Sequence, residues 1–241
     1  LGLRQPENRS AADRSEIKAK AHEIGYPVLL RPSFVLGGRG MFIVYDDEGL
    51  DDFLERNQNL LISEDAPVLV DQFLEDAFEY DLDAVSDGEN LYIGGIVQHI
   101  EAAGIHSGDS AAVFPPYKSK PEILAEMRKW TLALARRLQI KGLMNIQFAE
   151  KDGKLYIIEV NPRGSRTVPF ISKSSGVDLV EAAVKVWNGI DLHEQGLVAL
   201  GESIGEGHSI CGWAIKEAVF SFDRFLDVDP ALGPEMRSTG E

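Results

Sequence analysis

Apolar residues recur along the chain with two alternating periods. Ile17, Ala21 and Ile24 share one helical face, Asp13 and Glu16 make a capping-box-like start, Gly25 supplies a C-cap and Pro27 forbids continuation, which predicts a helix over 13–24. Short apolar runs then predict strands at Val28 to Arg31, Met41 to Tyr45 and Pro67 to Asp71, with a helix at Leu50 to Arg56 between the last two. Phe78 to Ala84 alternates strictly, the mark of a strand with one wet face, and Asp87-Gly88 turns it into a second strand from Leu91 to Val97. Ile123, Met127, Trp130, Leu134 and Leu138 fall at helical spacing within 121–138. A hairpin from Met144 to Arg163 follows, then a helix from Asp178 to Trp187 closed by Gly189, and one or two strands within 209–222. The pattern reads as an α+β protein with a small N-terminal lobe over 1–73, a larger antiparallel lobe over 74–223 and a C-terminal connector over 224–241.

The hairpin has two competing registers. A two-residue Asp152-Gly153 turn pairs Gln147 with Ile158 and sends Glu159 to the opposite face. A three-residue turn, Lys151-Asp152-Gly153, sets Met144 against Val160, Ile146 against Ile158 and Phe148 against Tyr156. Burial selects the second, because every pair on that side is largely apolar and a slip would flip the side chains. Its other face then carries Asn145 opposite Glu159 and Gln147 opposite Ile157, with Asn161 one step beyond, and these carboxylate and carboxamide oxygens are hard donors suited to Mg²⁺ bound jointly with phosphates. Arg163 and Arg166 follow directly and bring cationic forks beside them. The competing reading is an acidic strand end on a solvated sheet face.

Charge narrows the partners. The net charge of −15 over 241 residues argues against non-specific binding to nucleic acid or to a membrane surface, which needs basic patches. No window is apolar enough for a membrane span. The one cysteine, Cys211, excludes an internal disulfide, fits a reducing compartment, and lies in an apolar stretch that predicts a buried, inert thiol.

The run Asn145-Ile146-Gln147-Phe148, with Ile158-Glu159-Val160-Asn161-Pro162-Arg163, resembles the metal-binding hairpin of ATP-grasp enzymes. Leu30-Arg31-Pro32-Ser33 with Gly37-Gly38-Arg39, Gly104-Ile105-His106-Ser107-Gly108-Asp109-Ser110, and the closing Gly233-Pro234-Glu235-Met236-Arg237-Ser238 resemble the large-chain family of carbamoyl phosphate synthetase. Arg39-Gly40-Met41, Gly142-Leu143-Met144 and Arg166-Thr167-Val168-Pro169-Phe170 look like the second of its two ATP-grasp halves. The resemblance covers the chain in order. It implies an ATP-grasp fold whose two lobes clamp the nucleotide, and a ligase that phosphorylates carbamate with MgATP in arginine and pyrimidine biosynthesis.

The resemblance also implies residue roles. Arg31, Gly37, Gly38, Arg39, Gln72, Leu74, Glu79, Gly104, Ile105, His106, Ser107, Gln147 and Glu159 correspond to ATP-binding positions, with Gly40 completing the lid loop. Gln147, Glu159 and Asn161 correspond to ligands of Mg²⁺ or Mn²⁺, and Arg163 and Arg166 to cations at the transferred phosphate. Glu79, His99, Glu101 and Ser110 resemble a potassium site. Gln72 stands where some relatives carry a basic residue. The implied partners are carbamate, a glutaminase small chain and the other large-chain domains, in the cytoplasm.

The chain begins without Met and stops inside a motif that continues in relatives, which points to a piece of a longer large chain. Two other readings compete. Gly38-Arg39-Gly40-Met41 fits a biotin-carboxylase-type domain, although Thr167-Val168-Pro169 follows Arg166 where Gln-Val-Glu-His is expected. The other is a nucleotide-binding module without chemistry.

Overall fold

The computed structural model describes residues 1–33, 38–58, 62–207, 211–224 and 229–241. The chain divides into two compact units, and neither is a single stretch of sequence. One comprises Gln5–Asp76, Ala102–Ser110 and Ala218–Glu241; the other comprises Leu1–Arg4, Ala77–Glu101 and Ala111–Glu217.

The first unit is built on β1 (Asn8–Ala11), α1 (Arg14–Ile24), β2 (Val28–Pro32), β3 (Phe42–Val44), α2 (Asp47–Arg56) and β4 (Val68–Gln72). The strands form an antiparallel sheet in the order β1-β4-β2-β3. Asp13 caps α1 by accepting from the N–H groups of Ser15 and Glu16, while Glu16 reaches back to the N–H of Ala12 rather than to the cap residue itself. Ile17, Ala21, Val28, Leu30, Leu50, Phe53, Val68 and Val70 form the core beneath the helices.

The second unit carries β5 (Phe78–Ser86), β6 (Leu91–His99), β7 (Ala112–Phe114), α3 (Pro121–Arg137), β8 (Gly142–Lys151), β9 (Lys154–Asn161), α4 (Val168–Ser175), α5 (Leu179–Trp187), β10 (Ile204–Glu206) and β11 (Ala214–Lys216). Its sheet runs β11-β7-β6-β5-β8-β9, all antiparallel, with β10 added parallel to β6. Both faces are covered. On one, Ile123, Met127 and Trp130 of α3 pack on Tyr80, Leu82, Met144, Ile146 and Phe148. On the other, Val168 and Ile171 of α4 and Leu179, Ala183 and Val186 of α5 pack on Val85, Tyr92 and Val97.

Three expectations change. The alternation over 78–84 does not mark a wet face: Asp81 and Asp83 are only 3% and 0% exposed, because α4, a helix the sequence pattern did not predict, helps cover that side. The hairpin turn is not three residues long. Lys151 pairs with Lys154 across Asp152 (φ 54°) and Gly153 (φ 70°), the doubly left-handed pair of a type I′ turn that matches strand twist. Cys211 is exposed, not buried. Within 209–222, β11 is the strand among the described residues, and Val219 makes an isolated bridge to Gly240.

Candidate functional site

The two-residue turn sets Ala149 against Tyr156 and Phe148 against Ile157, and continued unbroken it would place Gln147 opposite Ile158. A bulge between Gln147 and Phe148 shifts the pairing by one residue. Beyond it Gln147 faces Glu159 rather than Ile157, Ile146 faces Val160 rather than Ile158, and Asn145 faces Asn161 rather than Glu159. Cross-strand partners share a face, so Gln147, Glu159, Asn145 and Asn161 stand on one side, as the polar pattern required, while Ile146 turns to the core under α3. The bulge reconciles a favourable tight turn with the burial of the apolar face.

These residues extend two rows that run across three strands. Asp81 on β5 pairs with Gln147, and Asp83 with Asn145. One row is therefore Glu159, Gln147, Asp81, and the next is Asn161, Asn145, Asp83. The Asn145 amide nitrogen donates to Oδ1 of Asp81 at 3.1 Å and to Oδ1 of Asp83 at 3.3 Å. Its carbonyl oxygen accepts from the Asn161 amide at 3.5 Å. The Asn161 oxygen is left outward and accepts from Arg163 at 3.1 Å. Thr167 donates its hydroxyl to Oδ2 of Asp83, and the Ser165 hydroxyl hydrogen-bonds the same carboxylate.

Charge in this buried layer is balanced locally. The His99 Nε2 lies 2.8 Å from Asp81 and its Nδ1 3.5 Å from Glu79. Burial alone would push the imidazole down, but its hydrogen bond to Asp81 and the negative charge of Asp81 and Glu79 prevail and lift it to about 9. Burial pushes Asp81 up, yet His99, the Asn145 amide and Lys216 outweigh it and hold the carboxyl below its usual range. For Asp83, burial and the neighbouring Asp81 charge raise the carboxyl to about 6 against the hydrogen bonds from Ser165, Thr167 and Asn145.

Glu79, His99, Glu101, Gln147, Glu159, Asn161, Arg163 and Arg166 thus belong to the larger unit, and Arg163 also donates to the Gly164 carbonyl at 3.0 Å. Among the described residues no group of three His, Cys, Asp or Glu side chains suits a metal. A set of one carboxylate and two carboxamides still fits Mg²⁺, a hard cation that keeps phosphate and water oxygens in its shell. The buried Oε2 of Glu101 has no hydrogen-bond partner among the described residues, and the same holds for Oγ of Ser110 in the other unit.

That other unit carries the remaining predicted residues. Arg31 is ion-paired with Asp71 at 3.0 Å; burial raises the Asp71 carboxyl even against the guanidinium. Gln72 is exposed and its Oε1 accepts from the Glu7 N–H at 3.5 Å, while Leu74 is buried. Gly37 lies outside the described residues; Arg39 and Gly40 are exposed. Gly38 has φ +71°, and a Cβ there would sit 1.8 Å from the Pro234 carbonyl oxygen, so glycine alone permits this approach. The Gly104-Ile105-His106-Ser107 loop is anchored by the His106 N–H donating to Gly233 at 2.8 Å. Asp109, 2% exposed, accepts from the N–H groups of Arg237 at 2.7 Å and Ser238 at 2.8 Å.

The family profile described as the carbamoyl-phosphate synthase L chain, ATP binding domain, matches residues 3–195. This chain belongs to that family. The carbamoyl phosphate synthase large chain of Gemmatimonas aurantiaca is 52% identical over all of this chain, which covers 21% of that protein. The large chain of Neisseria meningitidis is also 52% identical, with 22% of it covered. The protein from Aquifex aeolicus named as the large chain's C-terminal section is 48% identical over the full chain, 46% of it covered. The chain therefore spans about a fifth of the length of these full large chains. In three dimensions it has the ATP-grasp fold. It resembles the biotin carboxylase domain of Hydrogenobacter thermophilus 2-oxoglutarate carboxylase, solved with MgADP, ADP and bicarbonate, at a TM-score of 0.70 and 22% identity, covering 90% of this chain and 47% of that one. Biotin carboxylase from Campylobacter jejuni matches at 0.71 and 19%, with 91% and 48% covered.

The sequence pattern singled out the outer ends of both rows and missed their inner ends. Asp81, Asp83 and Thr167 lie beneath the candidate ligands. The available signal was phase: Asp81 and Asp83 share the period-two register of Glu79, and Val168 with Ile171 follows Thr167 as an apolar helical face that needs that side of the sheet.

Proposed function

We propose that this chain is the carbamate-phosphorylating half of a carbamoyl phosphate synthase large chain. The observation that carries the reading is the paired rows ending in Glu159, Gln147 and Asn161, with Arg163 bonded to the Asn161 oxygen and Arg166 following in sequence, in a chain that matches a C-terminal section throughout its length. A carbamate oxygen attacks the γ-phosphorus of ATP, the bond to the β-phosphate oxygen breaks, and carbamoyl phosphate and ADP leave. No protein nucleophile is needed; positioning and charge neutralisation carry the catalysis. Mg²⁺ or Mn²⁺, when bound, neutralises phosphate charge; Gln147, Glu159 and Asn161 would hold it. Arg163 and Arg166 stabilise negative charge on the transferred group.

In this reading Arg31, Gly37, Gly38, Arg39, Gln72, Leu74, Glu79 and Gly104 to Ser107 hold the nucleotide. Glu79, His99, Glu101 and Ser110 hold K⁺; the buried Oε2 of Glu101, without a hydrogen-bond partner among the described residues, supports an oxygen donor for it in the larger unit. The reading extends to a cytoplasmic glutamine-hydrolysing enzyme with a glutaminase partner.

The reverse reaction tests it. With Mg²⁺, ADP and carbamoyl phosphate, the chain is expected to form ATP, and Glu159→Gln to lower the rate by about a hundredfold or more. A folded chain that binds MgADP and forms no ATP overturns the catalytic reading.

A further inference from the structure

Asp83 lies out of reach of solvent, yet two different parts of the candidate site converge on it. Through Oδ1 it accepts from the Asn145 amide, together with Asp81. Through Oδ2 it accepts from Thr167, with Ser165 bonded to the same carboxylate. The Asn145 carboxamide can be turned either way by rotation about its last torsion, and the two orientations are nearly isosteric. Two carboxylates on one side admit only the NH₂ edge, since a carbonyl oxygen facing them would be repelled. The Asn145 oxygen must then face Asn161, whose amide nitrogen turns inward to meet it, leaving the Asn161 oxygen outward. The second branch ties down the chain that leaves β9: Ser165 and Thr167 flank Arg166 and follow Arg163, so their bonds to Asp83 fix where that arginine-bearing segment rests on the sheet.

We propose that the buried pair Asp81 and Asp83 is a positioning device for the phosphoryl-transfer site, turning the Asn161 oxygen outward through Asn145 and clamping the Arg163–Arg166 segment through Ser165 and Thr167. Neither carboxylate touches substrate. The proposal rests on the functional reading above, in which Asn161 is a metal ligand.

Thr167→Val is the variant of choice, because it removes the hydroxyl donor at nearly constant shape, and Thr167→Ser restores it. The readouts are Mn²⁺ affinity in the presence of ADP, followed by the paramagnetic signal of free Mn²⁺; ADP affinity in excess chelator; and kcat and KM for ATP synthesis from ADP and carbamoyl phosphate. Thr167→Val is expected to weaken Mn²⁺ binding and lower kcat about tenfold each, with metal-free ADP affinity and KM for ADP within about twofold, and Thr167→Ser to recover both. Asp83→Asn, which turns one acceptor into a donor and so breaks one branch, is expected to do the same and stands in if Thr167→Val does not fold. A lowered melting temperature with Mn²⁺ affinity and kcat unchanged reduces the pair to structural support and overturns the proposal. Glu159→Gln separates the two levels. If it abolishes Mn²⁺–ADP binding while Thr167→Val and Asp83→Asn leave it intact, only the positioning role fails. If Glu159→Gln leaves it intact as well, the metal reading fails and takes the proposal with it.

Discussion

Gly38 and Gly40 stand two residues apart in one loop, both with positive φ, and their surroundings separate two kinds of constraint. At Gly40, φ is +73° and a Cβ would meet nothing within 4 Å. Gly40→Ala therefore costs only the left-handed backbone penalty, about 1 kcal/mol. At Gly38 the same penalty is joined by a clash with the Pro234 carbonyl, a backbone atom that cannot rotate away. Gly38→Ala is expected to detach 233–238 from the loop, with ADP affinity falling well beyond that of Gly40→Ala; comparing the two by calorimetric titration and thermal melting checks it, and equal effects would refute a contact-specific role. In the sequence the glycines were visible only as a flexible lid, because nothing in Gly-Gly-Arg-Gly says which one another segment approaches. Buried carboxylates were misread for a similar reason. Alternation reports that a face is polar, but whether water or a helix lies over it depends on residues remote in sequence.

At the level of elements, local rules succeeded where one segment decided the outcome. The helix at 14–24 followed from its cap and its glycine stop, and the helix at 121–137 from its apolar stripe. The hairpin depended on two local preferences that disagree. Asp152-Gly153 favours a two-residue turn, whereas the apolar set demands the opposite parity, and the sequence reading resolved this by lengthening the turn. The chain resolves it by inserting one residue into β9 instead, with Ile158 as the extra residue and 43% exposed. Deleting Ile158 leaves Gln147 opposite Glu159 with no bulge between them. That deletion is expected to lower the melting temperature slightly while Mn²⁺–ADP affinity stays within about threefold. Deleting Val160 instead carries Asn161 to the face of Ile146, burying an amide without a partner at about 1–3 kcal/mol beside the loss of a core side chain. That variant is expected to lose metal binding and most of its stability. Circular-dichroism melts and Mn²⁺ titrations of both deletions test the parity argument, which fails if they behave alike.

Across the whole chain, each unit recruits sequence from far away, and no periodicity could announce this. Arg4 joins the larger unit: its carbonyl accepts from the Ile157 N–H, its guanidinium donates to Leu155 at 3.0 Å and stands 5.5 Å from the Tyr156 ring. At the other end, Ala218–Glu241 joins the smaller unit, where Asp109 fastens it. Its two oxygens take the N–H groups of Arg237 and Ser238, and Ser238 returns a hydroxyl bond of 2.8 Å to the Gly108 carbonyl. Charge-assisted bonds of this kind contribute about 1.5–3 kcal/mol each, and a buried N–H left without an acceptor costs about as much again. Asp109→Ala removes both acceptors, so 229–241 should become the first site of proteolytic cleavage while the four-stranded sheet stays intact. The His106 N–H also loses its Gly233 partner once that segment leaves, so ADP affinity should fall in parallel. Asp109→Asn keeps one acceptor and should lie between the alanine variant and the parent on both measures. Limited proteolysis read by mass spectrometry, beside ADP titration, decides the matter. Cleavage at 229–241 with nucleotide affinity unchanged would show that the segment fastens the fold without shaping the loop at Gly104–Ser107.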